Sequence, residues 1–163
     1  MKNFFNLKIA LVMSCFFLLL SAKAQHIATS SSYDGIWAGV LKNDNGDKLV
    51  SIIRISNGIA SRYSYNTEAK RLERSSFLKE GSMLLGNNLS YTWMNKGGIW
   101  SETQTHMIAY LKPDVLYCRL IRQVNNASED ENTPGINNEW STYYQGKIDR
   151  YESIEKLEQI LRN

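Results

Sequence analysis

The sequence predicts a mainly β domain, namely an antiparallel up-and-down barrel of about eight strands followed by a short C-terminal helix. From Gly35 onward, β-branched and aromatic residues come in short runs, and clusters of Asn, Asp and Gly separate these runs. Short strands joined by tight turns favour an antiparallel meander, and closure of the meander into a barrel removes its two exposed edges. A β-sandwich is the alternative architecture.

Eight strands are predicted, and most of the turns between them are legible in the sequence. Asn57-Gly58 and Pro113-Asp114 are two-residue turn sequences, while Asn43–Gly46 and Lys96–Gly98 are longer ones. The predicted strands cover residues 36–42, 48–55, 58–65, 71–80, 82–94, 100–111, 115–124 and 140–151.

The N-terminus has the three-part layout of a secretory signal, which we place at residues 1–24. Two early lysines supply positive charge, residues 9–20 form an apolar run, and Ala22-Lys23-Ala24 is a small-x-small cleavage sequence. The run is shorter than the ~20 residues that a membrane-spanning helix needs. We therefore expect an exported protein, periplasmic or extracellular, whose mature chain begins at Gln25.

The mature chain divides into a flexible leader over residues 25–33, the β-barrel over residues 34–151 and a helix over residues 152–163. Ser153 is placed to cap this helix, whose apolar residues recur at helical spacing. Three of the 19 Lys and Arg residues lie in the predicted signal, so the positive residues that remain equal the 16 Asp and Glu in number. This balance gives no indication of a nucleic-acid partner, and no later apolar run suffices for a membrane-spanning helix.

Cys118 is the only cysteine that follows the predicted signal, so an intrachain disulfide is not expected. Its position in a predicted strand favours a small buried hydrophobe. Pairing with the same residue of another chain is the alternative for an exported protein.

Turn geometry predicts which residues face the interior on the two strands around Pro113-Asp114. Proline fits the first central position of a β-turn, so these two residues should form the centre of the turn. Counting back from the turn places Thr105 opposite Arg122, on the face that is apolar near the turn. A three-residue loop at Lys96–Gly98 independently places Thr103 on the same inner face.

Glu102, Gln104 and His106 alternate along one strand and look like a catalytic or metal-binding row. The two turns, interpreted in this way, place all three side chains on the outer face. A three-residue loop at Lys112–Asp114 would reverse the assignment, because a shift of one residue exchanges the two faces of a strand. We therefore predict no catalytic and no metal-binding residues, and the sequence indicates no cofactor.

The predicted interior wall combines small, aromatic and charged side chains. Small side chains across a barrel wall either accommodate large neighbours or leave space for one small ligand, and aromatic walls with few polar groups are typical of small-molecule pockets. Arg122 needs a partner on this wall, which is a ligand acid, an internal Asp or Glu, or water at the barrel mouth. The predicted ligand-binding residues are Tyr91, Trp93, Thr103, Thr105, Arg122 and Trp140.

Gly35-Ile36-Trp37 at the start of the domain resembles the Gly-x-Trp signature that opens the first strand of lipocalins. In that family an Arg near the end of the last strand packs across this Trp as a cation–π contact, and Arg150 matches by position. The resemblance implies that Trp37 marks the closed end of a barrel, with the proposed pocket at the other end under the loop 125–139. The family's Thr-Asp-Tyr signature between strands six and seven is absent apart from Asp114.

These observations lead to two classes of function. We expect an exported, non-enzymatic binding protein that holds a small amphipathic or acidic ligand in the barrel. The alternative is an exported protein–protein interaction or structural module with a filled core. The sequence contains no nucleophile elbow, no metal-ligand spacing and no glycine-rich phosphate loop, which places an enzyme third.

Overall fold

The computed structural model describes residues 30–97, 100–126 and 138–163, and for residues 30–31, 126 and 138–140 it describes the backbone only. The predicted signal and the first part of the predicted leader lie outside these residues. The chain forms a curled, half-barrel sheet of antiparallel strands with a short C-terminal helix. In chain order the elements are α1 (Ser30–Tyr33), β1 (Gly35–Lys42), β2 (Lys48–Ser56), β3 (Ile59–Asn66), β4 (Arg71–Arg74), β5 (Lys79–Leu85), β6 (Asn88–Gly97), β7 (Trp100–Lys112), β8 (Val115–Asn126), β9 (Asn138–Tyr151) and α2 (Ile154–Arg162).

The predicted fold class is confirmed, and the described residues form nine strands instead of about eight. The difference arises between residues 71 and 94, where the two predicted strands are three. β4 ends at Arg74, and a turn at Gly86-Asn87 separates β5 from β6. Gly86 has a φ of 57°, the left-handed conformation that glycine adopts without steric cost. The end of the predicted leader is also part of the fold, because α1 includes the buried residue Tyr33.

The strands follow the predicted meander, and the first and last strands pair with each other. The order across the sheet is β4-β3-β2-β1-β9-β8-β7-β6-β5, so β4 and β5 form its two edges. Where β3 approaches β5, side chains of β5 and β6 bridge to β3: Ala60 N donates to Ser82 Oγ of β5 at 2.8 Å, and Arg62 N donates to the hydroxyl of Tyr91 of β6 at 3.2 Å. We call this junction between β3 and β5 the seam.

The inner face of the half-barrel carries the main hydrophobic core. Alternate residues of each strand point inward, as the pleat of a β-strand requires. Cys118 lies among them and is fully buried, and burial raises the pKa of its thiol to about 12. The core residues of this face are Tyr33, Trp37, Leu41, Ile53, Ile55, Ala60, Leu89, Tyr91, Trp93, Ile108, Leu116, Cys118, Leu120 and Ile148.

The C-terminal helix α2 packs on the outer face of β1 to β4. Ser153 caps it as predicted, because its side chain accepts a hydrogen bond from Lys156 N at 3.1 Å. Leu157 is buried against a second cluster that includes Ile52 of β2. Glu158 Oε1 accepts a hydrogen bond from the backbone N of Leu72 at 2.6 Å. The helix thus covers an edge strand that would otherwise expose unpaired backbone groups.

A β-bulge near the β7–β8 turn changes the register of the two strands. The centre of the turn is as predicted, because Lys112 pairs with Val115. The register then shifts, since Tyr110 pairs with Leu116 and Leu111 is the additional residue. Ordinary type I and type II turns do not match the twist of a hairpin, and an extra residue beside the turn increases the local twist.

This shift overturns the predicted orientation of β7. Glu102, Gln104 and His106 face the interior and are buried, so their predicted position on the outer face is wrong. Thr103 and Thr105 face outward, so their predicted inward orientation is wrong as well. The physical reason is the two-residue repeat of a strand, which makes a single inserted residue exchange its faces.

The β6–β7 connection shifts the register in the same sense. Gly97 pairs with Trp100, so the connection contains two residues instead of the predicted three. Tyr91 consequently pairs with His106 and not with Thr103. The two hairpins therefore agree on the inner face of β7, although it is the face opposite to the predicted one.

Candidate functional site

Polar side chains collect on the inner wall of the half-barrel, above the apolar core. They come from β3, β6, β7 and β8, each at an inward position of its strand. On β7 the residues Glu102, Gln104 and His106 are only 8 %, 3 % and 1 % exposed. We call this group the polar cluster, and its members are Arg62, Tyr91, Trp93, Glu102, Gln104, His106 and Arg122.

Arg122 of β8 and Glu102 of β7 form an interior ion pair. Arg122 Nε donates to Glu102 Oε1 at 2.6 Å, and Gln104 Nε2 donates to the same oxygen at 2.6 Å. Burial would raise the pKa of Glu102, but the two hydrogen bonds and the charges of Arg122 and Arg62 hold this pKa below its usual value. Its hydrogen bond to Glu102 raises the pKa of Arg122. Of the three partners considered for Arg122, the structure shows the internal carboxylate.

Arg62 of β3 places a second positive charge beside this pair. Its guanidinium carbon lies 5.3 Å from the centroid of the Trp93 ring, which is a cation–π contact. Burial lowers the pKa of Arg62, attraction from Glu102 and Tyr91 opposes this effect, and repulsion from Arg122 adds to it. Because one carboxylate faces two guanidinium groups, these three side chains carry one excess positive charge.

Hydrogen bonds at the seam fix the backbone that carries Arg62. The backbone N of Arg62 donates to the Tyr91 hydroxyl, and its carbonyl oxygen accepts from Ser75 N at 2.9 Å. The Tyr91 hydroxyl in turn donates to Glu80 Oε2 at 3.0 Å, and Glu80 pairs with Arg74. Burial first, and then the hydrogen bond to Glu80, raise the pKa of Tyr91, so its hydroxyl stays protonated and able to donate.

Trp93 is the aromatic centre of the polar cluster. Phe77 stacks on its ring, with 4.2 Å between the ring centroids and 14° between the ring planes. The residue is only 3 % exposed. Its indole Nε1 is buried and has no hydrogen-bond partner among the described residues. The indole N–H is therefore a donor that points into protein and not into bulk water.

His106 is an uncharged member of the polar cluster. Burial lowers its pKa to about 3, and the positive charge of Arg62 contributes in the same direction. A hydrogen bond to the backbone of Tyr91 has the opposite, smaller effect. The ring centroids of His106 and Tyr91 lie 5.6 Å apart. At neutral pH the imidazole is therefore neutral and can accept a hydrogen bond at one nitrogen.

Three buried polar atoms of the cluster lack a partner within the part of the chain that the structure describes. They are Trp93 Nε1, Gln104 Oε1 and His106 Nδ1. Each such group costs about 1–3 kcal/mol when it is left without a hydrogen bond. Buried polar groups in folded proteins nearly always have a partner, either protein or water. One donor and two acceptors on the same wall thus define an incomplete polar site.

The structure brings together only part of the predicted ligand-binding set. Tyr91, Trp93 and Arg122 face the interior as predicted. Thr105 lies on the outer face, where its hydroxyl is 3.1 Å from that of Thr92. Thr103 lies on the same outer face, and the side chain of Trp140 lies outside the described residues. Because Thr103 and Thr105 face outward, they do not line a space for a ligand inside the half-barrel.

Sequence reasoning missed four members of the polar cluster. The alternation of Glu102, Gln104 and His106 was a visible signal, and the error lay in the face to which it was assigned. Arg62 follows the buried Ala60 by two residues, which places both on one face of β3. That spacing was a usable signal for an inward arginine.

The end of the half-barrel that the resemblance predicts to be closed is built around Trp37. The residue is fully buried, and the guanidinium carbon of Arg150 lies 5.3 Å from its ring centroid. Trp37 Nε1 donates to the carbonyl oxygen of Tyr33 at 2.7 Å, and the Tyr33 hydroxyl donates to the carbonyl oxygen of Asn87 at 2.5 Å. The predicted contact of Arg150 with Trp37 is confirmed, while membership of the lipocalin family stays a prediction.

A cleft of about 670 Å³ lies at this closed end, away from the polar cluster. Asp34, Arg54, Asp114 and Arg150 contribute charges of both signs to its wall. Arg150 also pairs with Asp114 at 3.4 Å, so part of the charge in the cleft is already neutralised. The incomplete polar atoms, and not this cleft, mark the better candidate site.

The described residues give no indication of a metal centre, because no group of three or more His, Cys, Asp or Glu side chains is arranged to hold an ion. Across the same residues, no helix combines the length and the apolar character needed to cross a membrane. Comparison of the chain with family models, curated proteins and solved structures gave no match.

Proposed function

We propose that this chain is a non-enzymatic binding protein that holds a small amphipathic or acidic ligand inside the half-barrel. The observation that carries the proposal is the set of buried atoms without partners, Trp93 Nε1, Gln104 Oε1 and His106 Nδ1. A ligand with one acceptor and one or more donors satisfies these atoms and offsets their desolvation cost. A few convergent polar groups on an otherwise apolar wall are typical of small-molecule sites.

Partly exposed apolar side chains on the main core support an amphipathic ligand. Leu49, Phe77 and Tyr144 pack against the core but remain partly exposed. Leu49 lies at the end of β2 that is far from Trp37, the marker of the closed end. A ligand whose apolar part covers these side chains would gain free energy from the area removed from water.

Export is part of the proposal and has its own test. The signal layout of residues 1–24 supports a location outside the cytoplasm, periplasmic or extracellular. N-terminal sequencing of the protein recovered from the exported fraction should begin at Gln25. Recovery of intact Met1 in a membrane fraction would contradict export by a cleaved signal.

Native mass spectrometry of the protein purified from its host tests the binding function. We expect a bound small molecule in addition to the polypeptide mass. Gln104→Leu removes an incomplete acceptor from the inner wall and should lower the bound fraction. Gln123→Leu makes the same change at an exposed position of β8 and serves as the matched control. A bare polypeptide mass for the wild type would count against the proposal.

One observation favours the alternative, an exported protein–protein interaction or structural module. Large apolar side chains are exposed on the outer face of the sheet, among them Met83, Leu85, Met107 and Tyr143. Apolar surface of this kind marks protein contacts when it is contiguous. A wild-type protein without bound ligand that co-purifies with a protein at fixed stoichiometry would favour this alternative.

A further inference from the structure

We infer that Arg62 and Trp93 together bind the carboxylate of an acidic amphiphile, and that Arg122 does not take this role. The inference rests on the proposed binding function and extends it by naming the ligand class and the two residues in contact with the acid. It assigns the head group to β3 and β6 at the seam, and not to β8.

The two donors lie close together on the inner wall. The guanidinium carbon of Arg62 lies 5.3 Å from the centroid of the ring that carries Trp93 Nε1. A carboxylate accepts through two oxygens, and charge-assisted hydrogen bonds to it are about 2.7–2.9 Å long. Trp93 Nε1 is buried without a partner in the described residues, so an oxygen placed there replaces no existing bond.

The charge balance of the polar cluster favours an anion at Arg62. Glu102 is held by Nε of Arg122 and by Gln104, and its two hydrogen bonds converge on one oxygen. Arg62 interacts with Glu102 through space and stacks on Trp93. Arg62, Arg122 and Glu102 therefore carry one excess positive charge, and a ligand carboxylate neutralises it.

Arg62 is positioned before any ligand arrives. Its backbone N donates to the Tyr91 hydroxyl, and its carbonyl oxygen accepts from Ser75 N. These two bonds already hold the backbone of β3 at Arg62, so binding of a ligand costs little further backbone entropy. Preorganised groups of this kind improve affinity because the entropy cost has already been met.

Arg122, by contrast, is occupied. Its Nε bond to Glu102 is 2.6 Å long, and Glu102 is the more deeply buried partner. A ligand acid at the remaining N–H groups of Arg122 would lie close to the carboxylate of Glu102, which brings two negative charges together. Like charges at short distance disfavour ionisation of both groups.

The test uses the protein expressed from the full chain. Two fluorescent probes are titrated into it, and the affinity for each probe is measured. The first is a dansyl-labelled undecanoic acid, and the second is the dansyl-labelled alcohol of equal chain length. Both are added to the wild type, to Arg62→Met and to Arg119→Met. Arg119 is an exposed arginine on the outer face of β8, so the last variant controls for loss of one positive charge.

We expect the wild type and Arg119→Met to bind the acid at least about tenfold more tightly than the alcohol, and Arg62→Met to bind the two probes equally. Equal binding of both probes by the wild type, or an unchanged preference in Arg62→Met, overturns the assignment of the acid to Arg62 but leaves ligand binding intact. Binding of neither probe by the wild type overturns this inference, and native mass spectrometry then decides separately on the proposed function.

Arg62→Lys keeps the inference testable if Arg62→Met fails to fold. Lysine retains the positive charge but lacks the two-pronged donor geometry that matches a carboxylate. We expect Arg62→Lys to keep a preference for the acid that is several-fold weaker than that of the wild type. A folded Arg62→Lys variant with the full wild-type preference would overturn the two-donor geometry.

Discussion

Arg122 and Glu102 are each other's main electrostatic partner, but they are buried to different extents. The side chain of Arg122 is 33 % exposed, whereas that of Glu102 is 10 % exposed. An arginine that loses its partner can extend its charge into water along its flexible stem. A buried carboxylate that loses its partner keeps the desolvation cost. The two single substitutions therefore have unequal consequences.

We predict that Arg122→Leu lowers the free energy of unfolding more than Glu102→Gln does. The first variant leaves a carboxylate buried without its ion pair, at a cost of about 1–3 kcal/mol. The second removes the negative charge and leaves a guanidinium that has access to solvent. Urea denaturation of both single variants and of the double variant measures the interaction free energy between Arg122 and Glu102. Equal losses, or additive effects in the double variant, would contradict this description of the pair.

His106 should make the protein less stable as the pH falls. Its pKa is lowered from the usual 6.5 to about 3 in the folded state, so only the unfolded chain takes up a proton between these values. Stability present above pH 6.5 is then lost progressively below it, by at most about 1.4 kcal/mol per pH unit. Glu102, whose pKa lies below its usual 4.5, contributes only at lower pH.

We predict that His106→Gln flattens this dependence between pH 7 and pH 5. Glutamine keeps hydrogen-bonding capacity at the position but does not titrate. Urea denaturation of the wild type and the variant at several pH values across this range checks the prediction. Parallel stability curves for the two proteins would show that His106 is not the group responsible.

The sequence was sufficient for some residues of the site and not for others. Trp93 and Arg122 alternate with apolar neighbours, so their inward orientation follows from the two-residue repeat. Glu102 was visible as a candidate in the sequence, but the face on which it lies depends on the β-bulge in the β7–β8 hairpin. The free-energy cost of one inserted residue is small, and no residue type reliably marks a β-bulge in the sequence. For the same reason the partner of Arg122 stayed open at the level of sequence.

At the scale of elements, the contact between β1 and β9 depends on glycine. A Cβ on Gly146 would lie 2.8 Å from the carbonyl oxygen of Val40, and a Cβ on Gly39 would meet the backbone of Lys147 and Ile148. Distances this short are below ordinary van der Waals contact, so a side chain forces the strands apart. The pairing that joins the first and last strands therefore requires residues without a side chain.

We predict that Gly146→Ala destabilises the protein by about 1–3 kcal/mol, the usual cost of overpacking. Gly81→Ala is the matched control, because Gly81 is a strand glycine at which an added methyl group would have no neighbour within 4 Å. Chemical denaturation should show a lower free energy of unfolding for Gly146→Ala and little change for Gly81→Ala. Equal stability of the two variants would mean that β1 and β9 can separate without cost.

The closed end gives a second prediction at this scale. Trp37 is fully buried, and truncation of a buried Trp to Ala costs about 3–5 kcal/mol. Arg150 is partly exposed and contributes a cation–π contact, which is worth roughly 0.5–2 kcal/mol. In thermal unfolding, the midpoint temperature of Trp37→Ala should therefore lie well below that of Arg150→Ala. A reversed order would show that the tryptophan is not the main support of this end.

At the scale of the whole molecule, the meander and the pairing of its first and last strands could be predicted because they follow from turn residues and hydrophobic alternation. Asn57-Gly58 illustrates this, since Ser56 and Ile59 pair across it as the sequence indicates. The seam could not be predicted, because it depends on which side chains of β5 and β6 bridge to β3. The result is a half-barrel with an apolar core and a charged, incompletely satisfied wall, and the central claim is that a ligand completes this wall.

The most direct measurement of that claim is the indole N–H region of a ¹H–¹⁵N NMR spectrum recorded while an undecanoic acid is added. Trp93 Nε1 lacks a partner in the described residues, whereas Trp37 Nε1 already donates to Tyr33. Binding inside the half-barrel should move the Trp93 signal in a saturable way and leave the Trp37 signal in place. A Trp93 signal that does not move at a saturating concentration of the acid, or that moves no more than that of Trp37, would contradict the account.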